Sequence, residues 1–140
     1  MTNWVKAKFE SQSKSFNAIA NNIVTSISQA EIKKALIDQM MEDFKKKYDN
    51  KNLQDLKMNE WKALQGTESW NGDTMIKIKK HLKNSNNTNI LHETICEMLE
   101  GKSVTAPIIM MQNKIGMLIA GEHTLMACRL LNIQPRVVMF

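Results

Sequence analysis

Leu118-Ile-Ala-Gly-Glu-His-Thr-Leu-Met-Ala-Cys-Arg-Leu-Leu-Asn-Ile-Gln-Pro-Arg-Val-Val138 changes character twice within its length. An apolar run reaches Ala120 and stops at Gly121. From Glu122 to Leu131 the apolar side chains recur at helical steps, and Asn132 and Pro135 then close the helix. Arg136-Val-Val-Met-Phe140 resumes as a strand. Upstream, Pro107-Ile-Ile-Met-Met111 is a second short apolar run, and Gln112-Asn-Lys-Ile-Gly116 reads as a hairpin turn between the two. Strands are therefore expected over 107–111, 116–120 and 136–140, with a helix over 122–131. On a helical wheel Thr124, Ala127, Cys128 and Leu131 share a buried arc, while Glu122, Met126 and Arg129 lie on the other side.

Moving outward, residues 90–100 carry Leu91, Ile95, Met98 and Leu99 against Glu93, Glu97 and Glu100, an amphipathic helix with Gly101 as its stop. The segment Asn84–Asn89 reads as a soft spot. Residues 65–73 read as a loop and an organisational boundary, so the chain divides into a helical region, 1–70, and an α/β unit, 71–140, packed as one body. Between these loops Met75-Ile-Lys-Ile-Lys-Lys-His-Leu-Lys83 fits a helix opened by Asp73 as well as it fits a strand over 75–79. In the first half, Phe16, Ile19, Ala20, Ile23, Val24 and Ile27 predict a helix near 14–26. Ser28 and Glu31 have capping-box spacing ahead of a helix near 29–48, whose stripe is Ile32, Leu36, Ile37, Met40, Met41 and Phe44. Leu53, Leu56, Trp61 and Leu64 suggest a third, shorter helix. The fold class is α+β, a helical N-terminal region on a short mixed sheet.

Composition narrows the function classes. The 140 residues are 43% hydrophobic and 24% charged, which is globular usage and excludes wholesale disorder. Two cysteines cannot build a disulfide framework or a four-cysteine zinc site. No apolar run approaches the ~20 residues of a membrane span, and Met1–Glu10 holds no signal-peptide core, so a cytoplasmic protein is expected. The formal charge is +5, but only Arg129 and Arg136 among the 19 basic residues are arginine. The excess is spread over both halves, so DNA binding is possible on charge but not specifically indicated.

The chemistry concentrates at Gly121. A glycine there allows a sharp turn from strand to helix and a close approach by a ligand. The backbone amides of His123, Thr124 and Leu125 are expected to be orphan donors at the positive end of the helix dipole, a ready anion site. Thr124 adds a hydroxyl and His123 a titratable donor. Glu122 is the sole carboxylate in residues 103–140, hence the candidate for metal binding or base catalysis. The plain alternative is that Glu122 simply favours a helix N-terminus and His123 is its solvated neighbour. His92 and Cys96, four apart, form a weaker metal pair, with packing at the core rim as the alternative, and Cys128 on the apolar arc is expected to be inert.

Residues 90–140 resemble the ParB/sulfiredoxin-like superfamily. Leu91–Met111 looks like its helix and Pro-Ile strand, Gly121-Glu122-His123-Thr124 like its signature box, and Ala127–Val138 like the continuation. The resemblance implies a nucleotide site, since this box holds CTP in the partition proteins and ATP in sulfiredoxin and a related serine kinase. It implies phosphate contacts from Gly121, His123, Thr124 and Leu125, a metal or catalytic role for Glu122 with His123, and a nucleoside triphosphate with Mg²⁺ as cofactor. Phages and mobile elements carry many short relatives of this kind. Three departures stand out. Thr124 replaces the family arginine, Glu122 stands where sulfiredoxin keeps its reactive cysteine, and the partition proteins' helix-turn-helix domain is not expected after Phe140. The implied activity is a Mg²⁺-dependent NTPase, nuclease or phosphotransferase. The alternative is a non-enzymatic interaction module with a degenerate site, meeting a protein partner, its own copy or DNA through its helices.

Overall fold

Three apolar strands near the C-terminus form the middle of a sheet that is covered on both faces. In the computed structural model, which describes residues 2–66 and 74–140, the element order is β1 (Asn3–Val5), a 3₁₀ turn (Phe9–Gln12), α1 (Ser13–Ile23), α2 (Ala30–Asp49), β2 (Gln54–Asp55), α3 (Met58–Lys62) and β3 (Gln65–Gly66), followed by α4 (Met75–His81), α5 (Ser85–Leu99), β4 (Ser103–Thr105), β5 (Ile108–Gln112), β6 (Ile115–Ala120), α6 (Glu122–Leu131) and β7 (Arg136–Met139). The main sheet runs β2-β7-β5-β6-β3, and β1 pairs in parallel with β4 as a separate ribbon. Within the main sheet β5 is antiparallel to β6 and parallel to β7. The fold is α+β with a mixed sheet, as the patterning predicts.

Alternation along the central strands explains why they read as unbroken apolar runs. Ile109, Leu118 and Val137 face one core with Leu91, Met98, Leu125 and Met126. Ile108, Met110, Ile119 and Val138 face the other with Phe9, Phe16, Ile19 and Tyr48. A sheet buried on both sides needs hydrophobic side chains at every position rather than every second one. The helical wheel of α6 is also corrected. Leu125, Met126, Ala127 and Cys128 are all fully buried in the first of these cores, so Met126 is not on an open face, while Thr124 and Leu131 of the expected arc are only half-buried.

Local signals account for the connections. Asn113 and Lys114 both adopt positive φ, +50° and +69°, which suits the right-handed twist of a two-residue hairpin between β5 and β6. Gly101, at φ +73°, ends α5, with the Lys102 amide donating to the Glu97 carbonyl at 3.0 Å. Asn132 takes the left-handed conformation at the end of α6, as its position predicts. Other expectations are corrected. Asn84–Asn89 is not a soft spot, because the Asn84 side chain caps the Asn86 amide at 2.9 Å and α5 starts at Ser85. The capping box at Ser28 does not form, since α2 begins after Gln29 with no side-chain cap. Met75–Lys79 is helical, capped by Thr74, whose hydroxyl accepts from the Lys77 amide at 3.3 Å. Asp73 and most of the loop expected at 65–73 lie outside the described residues, while Gln65–Gly66 pairs with β6 as a strand.

The N-terminal helices pack through an aromatic cluster. Phe9 and Phe16 stack with centroids 4.6 Å apart, and Phe16 also meets Tyr48 at 5.8 Å and Phe140 at 5.9 Å. Tyr48 donates its hydroxyl to the Ala7 carbonyl at 2.6 Å, and burial pushes its pKa up to about 12. Lys6 donates to the Tyr48 and Lys51 carbonyls at 2.7 and 2.6 Å, tying the segment after β1 to the end of α2. The opposite end of the α1–α2 hairpin is less covered than the stripe predicts. Ile23, Ile32 and Leu36 are 52%, 50% and 41% exposed. Among the described residues no helix is long and apolar enough to cross a membrane.

Candidate functional site

The β6–α6 junction is built around Gly121, whose φ of +101° is the left-handed conformation that glycine adopts without penalty. A Cβ at this position would stand 2.7 Å from both Cα and Cβ of Pro107. The glycine is therefore demanded by the packing of β6 on the start of β5, a reason separate from ligand clearance. Glu122, His123 and Thr124 follow as the first three helical residues, each half-buried. Their amides are the orphan donors of the first turn. The Leu125 amide is not among them, because it already donates to the Gly121 carbonyl at 3.1 Å, and the Leu125 side chain is fully buried.

A residue from another helix completes the group. α4 packs against α6 and delivers His81, whose Nε2 lies 3.2 Å from Nε2 of His123, the rings inclined at 58°. Glu122 Oε1 sits 3.9 Å from His123 Nδ1. One ligand atom from each of His81, Glu122 and His123 lies within 4.8 Å of the others. His81 carries no local signal: it is 42 residues from His123, in the segment whose period is ambiguous, and only the α4–α6 contact reveals it. The contact is held from behind by Asn87, which donates to the His81 carbonyl at 2.9 Å.

The charged form of the His123 imidazole is disfavoured. His123, whose side chain is 17% exposed, has its pKa lowered chiefly by burial; Glu122 opposes the shift and the charge of His81 adds to it. At 3.2 Å one Nε2 can donate to the other, with the tautomers setting the direction. A folded-state pKa below the unfolded value of ~6.5 means that the folded state holds fewer protons. The resulting stability is present above that value and is lost as pH falls through the lowered folded one. In chelator-containing buffer, the urea midpoint is expected to fall between pH 7.5 and pH 5, and less steeply in His123→Gln. Identical pH slopes in the two proteins would refute this reading.

The remaining sequence candidates separate. His92 Nε2 approaches Cys96 Sγ at 3.6 Å, but among the described residues no third ligand joins the pair. Cys128 is fully buried, and burial pushes its thiol up to about 12, as expected of an inert side chain. Arg136 is committed at the far end of α6, where it donates to the Leu53 carbonyl at 3.1 Å and pairs with Asp55 at 3.4 Å, away from the Gly121 turn. Arg129 lines a cavity of about 250 Å³ with Trp61, Asn132 and Pro135 at that same end, and Arg129 Nε and Trp61 Nε1 are buried without a hydrogen-bond partner. Within the His–Glu–His group only Glu122 offers oxygen, which suits the hard Mg²⁺ ion poorly unless a ligand supplies the rest. No protein-family model, no curated protein and no solved structure matches this chain.

Proposed function

We propose that the chain binds a phosphate-bearing ligand, a nucleotide by class, at the N-terminus of α6, as a ParB-like protein of a phage or mobile element acting in the cytoplasm. The observation that carries this reading is the left-handed Gly121 turn leading into three unpartnered helix amides, with His123, Thr124 and His81 at its side. Such a turn concentrates N–H donors and the positive helix end on one spot. Glu122, the group's single oxygen donor, would then be available to a Mg²⁺ whose other ligands the triphosphate itself supplies, and phosphoryl transfer or hydrolysis would be the reaction class.

The test is a thermal-shift screen of ATP, CTP, GTP, cyclic nucleotides and DNA, with and without Mg²⁺. A true ligand at 100 times its Kd stabilises by about 2.7 kcal/mol, roughly 5–10 °C for a chain of this size. Thr124→Val keeps the side chain's shape and removes one donor, so it is expected to weaken binding about tenfold. His123→Ala is expected to weaken it further.

A second reading has its own support. Ile23, Ile32 and Leu36 form an apolar end of the α1–α2 hairpin that the fold leaves exposed. An interaction module contacting a protein partner there, with a degenerate α6 site, is preferred if no nucleotide shifts the Tm and Thr124→Val changes nothing.

A further inference from the structure

We infer that His81, His123 and Glu122 form a binding site for a zinc-class divalent transition metal. Each residue contributes one ligand atom within 4.8 Å of the other two. Two nitrogen ligands on a tetrahedral ion, each at 2.0–2.1 Å, stand about 3.3–3.4 Å from one another. The Nε2 atoms of His81 and His123 are 3.2 Å apart, close to that span, so an ion that displaces the shared proton needs the two rings to swing their lone pairs off the line between them but not to move apart by more than a few tenths of an ångström. Two borderline imidazole nitrogens beside a single hard carboxylate oxygen favour zinc, cobalt, nickel or copper over magnesium.

The surroundings agree with this chemistry. The ligands come from two helices joined through the α4–α6 contact, and Asn87 secures the carbonyl of His81. Three protein ligands leave a fourth tetrahedral position, the arrangement of an open rather than a structural zinc site. Glu122 and His123 are the first two residues of α6, so the site is at the helix end that carries the unpartnered amides, and its open position would accept water or a phosphate oxygen. The metal site itself does not depend on the phosphate reading, because it is assembled from side chains alone.

Chelator-stripped protein, without nucleotide, is titrated with Zn²⁺, Co²⁺ and Mg²⁺ by calorimetry and absorption. One Zn²⁺ per chain is expected, a strong visible d–d band of low-coordinate Co²⁺, and no Mg²⁺ uptake. His81→Gln and His123→Gln are each expected to weaken Zn²⁺ binding by more than about 100-fold, beyond the roughly 10–100-fold that loss of an outer-sphere partner costs, and Glu122→Gln by at least about tenfold. His92→Ala should bind as the parent does, since its pairing with Cys96 lies apart from this group. Circular dichroism of each metal-free variant establishes that it is folded; if either histidine variant fails to fold, the Co²⁺ spectrum of the parent decides alone, imidazole and carboxylate ligation being distinguishable from thiolate by its charge-transfer bands. Absence of Zn²⁺ uptake, six-coordinate Co²⁺, or full affinity in His81→Gln overturns the proposal. Zinc binding without any nucleotide effect would leave this site standing and refute the phosphate reading.

Discussion

Phe16→Ala is expected to cost about 3–5 kcal/mol of stability, the range for truncating a fully buried aromatic side chain. Phe16 is the hub of the cluster on which α1 and α2 rest, touching Phe9, Phe44, Tyr48 and Phe140 with centroids at 4.6–6.1 Å. Offset and edge contacts of this kind add about 0.5–1.5 kcal/mol per pair to simple burial. The residue also belongs to the core that includes Ile108, Met110 and Val138 of the sheet. Its loss therefore loosens the N-terminal helices from the C-terminal strands. With total stabilities of domains this size near 5–15 kcal/mol, the variant should sit close to unfolding at 37 °C. Urea denaturation measures the difference, and Ile23→Ala serves as the control because Ile23 is half exposed and should change stability by about 0.5 kcal/mol or less. If Phe16→Ala costs under about 1 kcal/mol, the α1–α2 hairpin is not docked on the sheet as described.

What the sequence discloses follows how local its signals are. The β5–β6 hairpin, α6 and β7 are legible because each is announced by residues within a few positions of it: Asn113 and Lys114 in the turn, Gly121 before the helix, Asn132 after it. β1, β2 and β3 are not legible. They hold two or three residues each, and their existence depends on partners 52–100 positions away in β4, β7 and β6. Such short strands have no period of their own to read. α4 is undecidable from periodicity because Ile76 and Ile78 alternate with lysines; the fold resolves it by burying Ile78 and leaving Ile76 exposed. The exposed ends of α1 and α2 show the converse: a stripe predicts which face can be buried, and tertiary packing decides how much of it is. At the site, Glu122, His123 and Thr124 lie where spacing places them, Leu125 is consumed by the helix, and His81 arrives from a helix no motif connects to them.

Gly121→Ala is expected to destabilise the protein by about 2–5 kcal/mol, from two independent causes. A non-glycine residue held in the left-handed region costs about 1–2 kcal/mol. The new Cβ also meets Pro107 Cα and Cβ at 2.7 Å, and Pro107 is itself fixed by the bond from the Val138 amide to its carbonyl at 2.9 Å. Overpacking against a backbone that cannot retreat adds about 1–3 kcal/mol. Gly101→Ala separates these causes. Gly101 also has positive φ, +73°, yet a Cβ there finds nothing within 4 Å. It should cost only the conformational share, about 1–2 kcal/mol. Equal costs at the two positions, read from urea midpoints at constant m-value, would mean that the β6–α6 junction yields and that Pro107 does not enforce the turn. A clear excess at Gly121 has a consequence for function. The turn that aims the helix amides is then set by packing, before any ligand arrives, and a bulky residue such as valine would abolish binding by unfolding the junction rather than by blocking phosphate. Ligand contact at this turn is therefore tested through Thr124 and His123, whose side chains can be changed without touching the Pro107 contact.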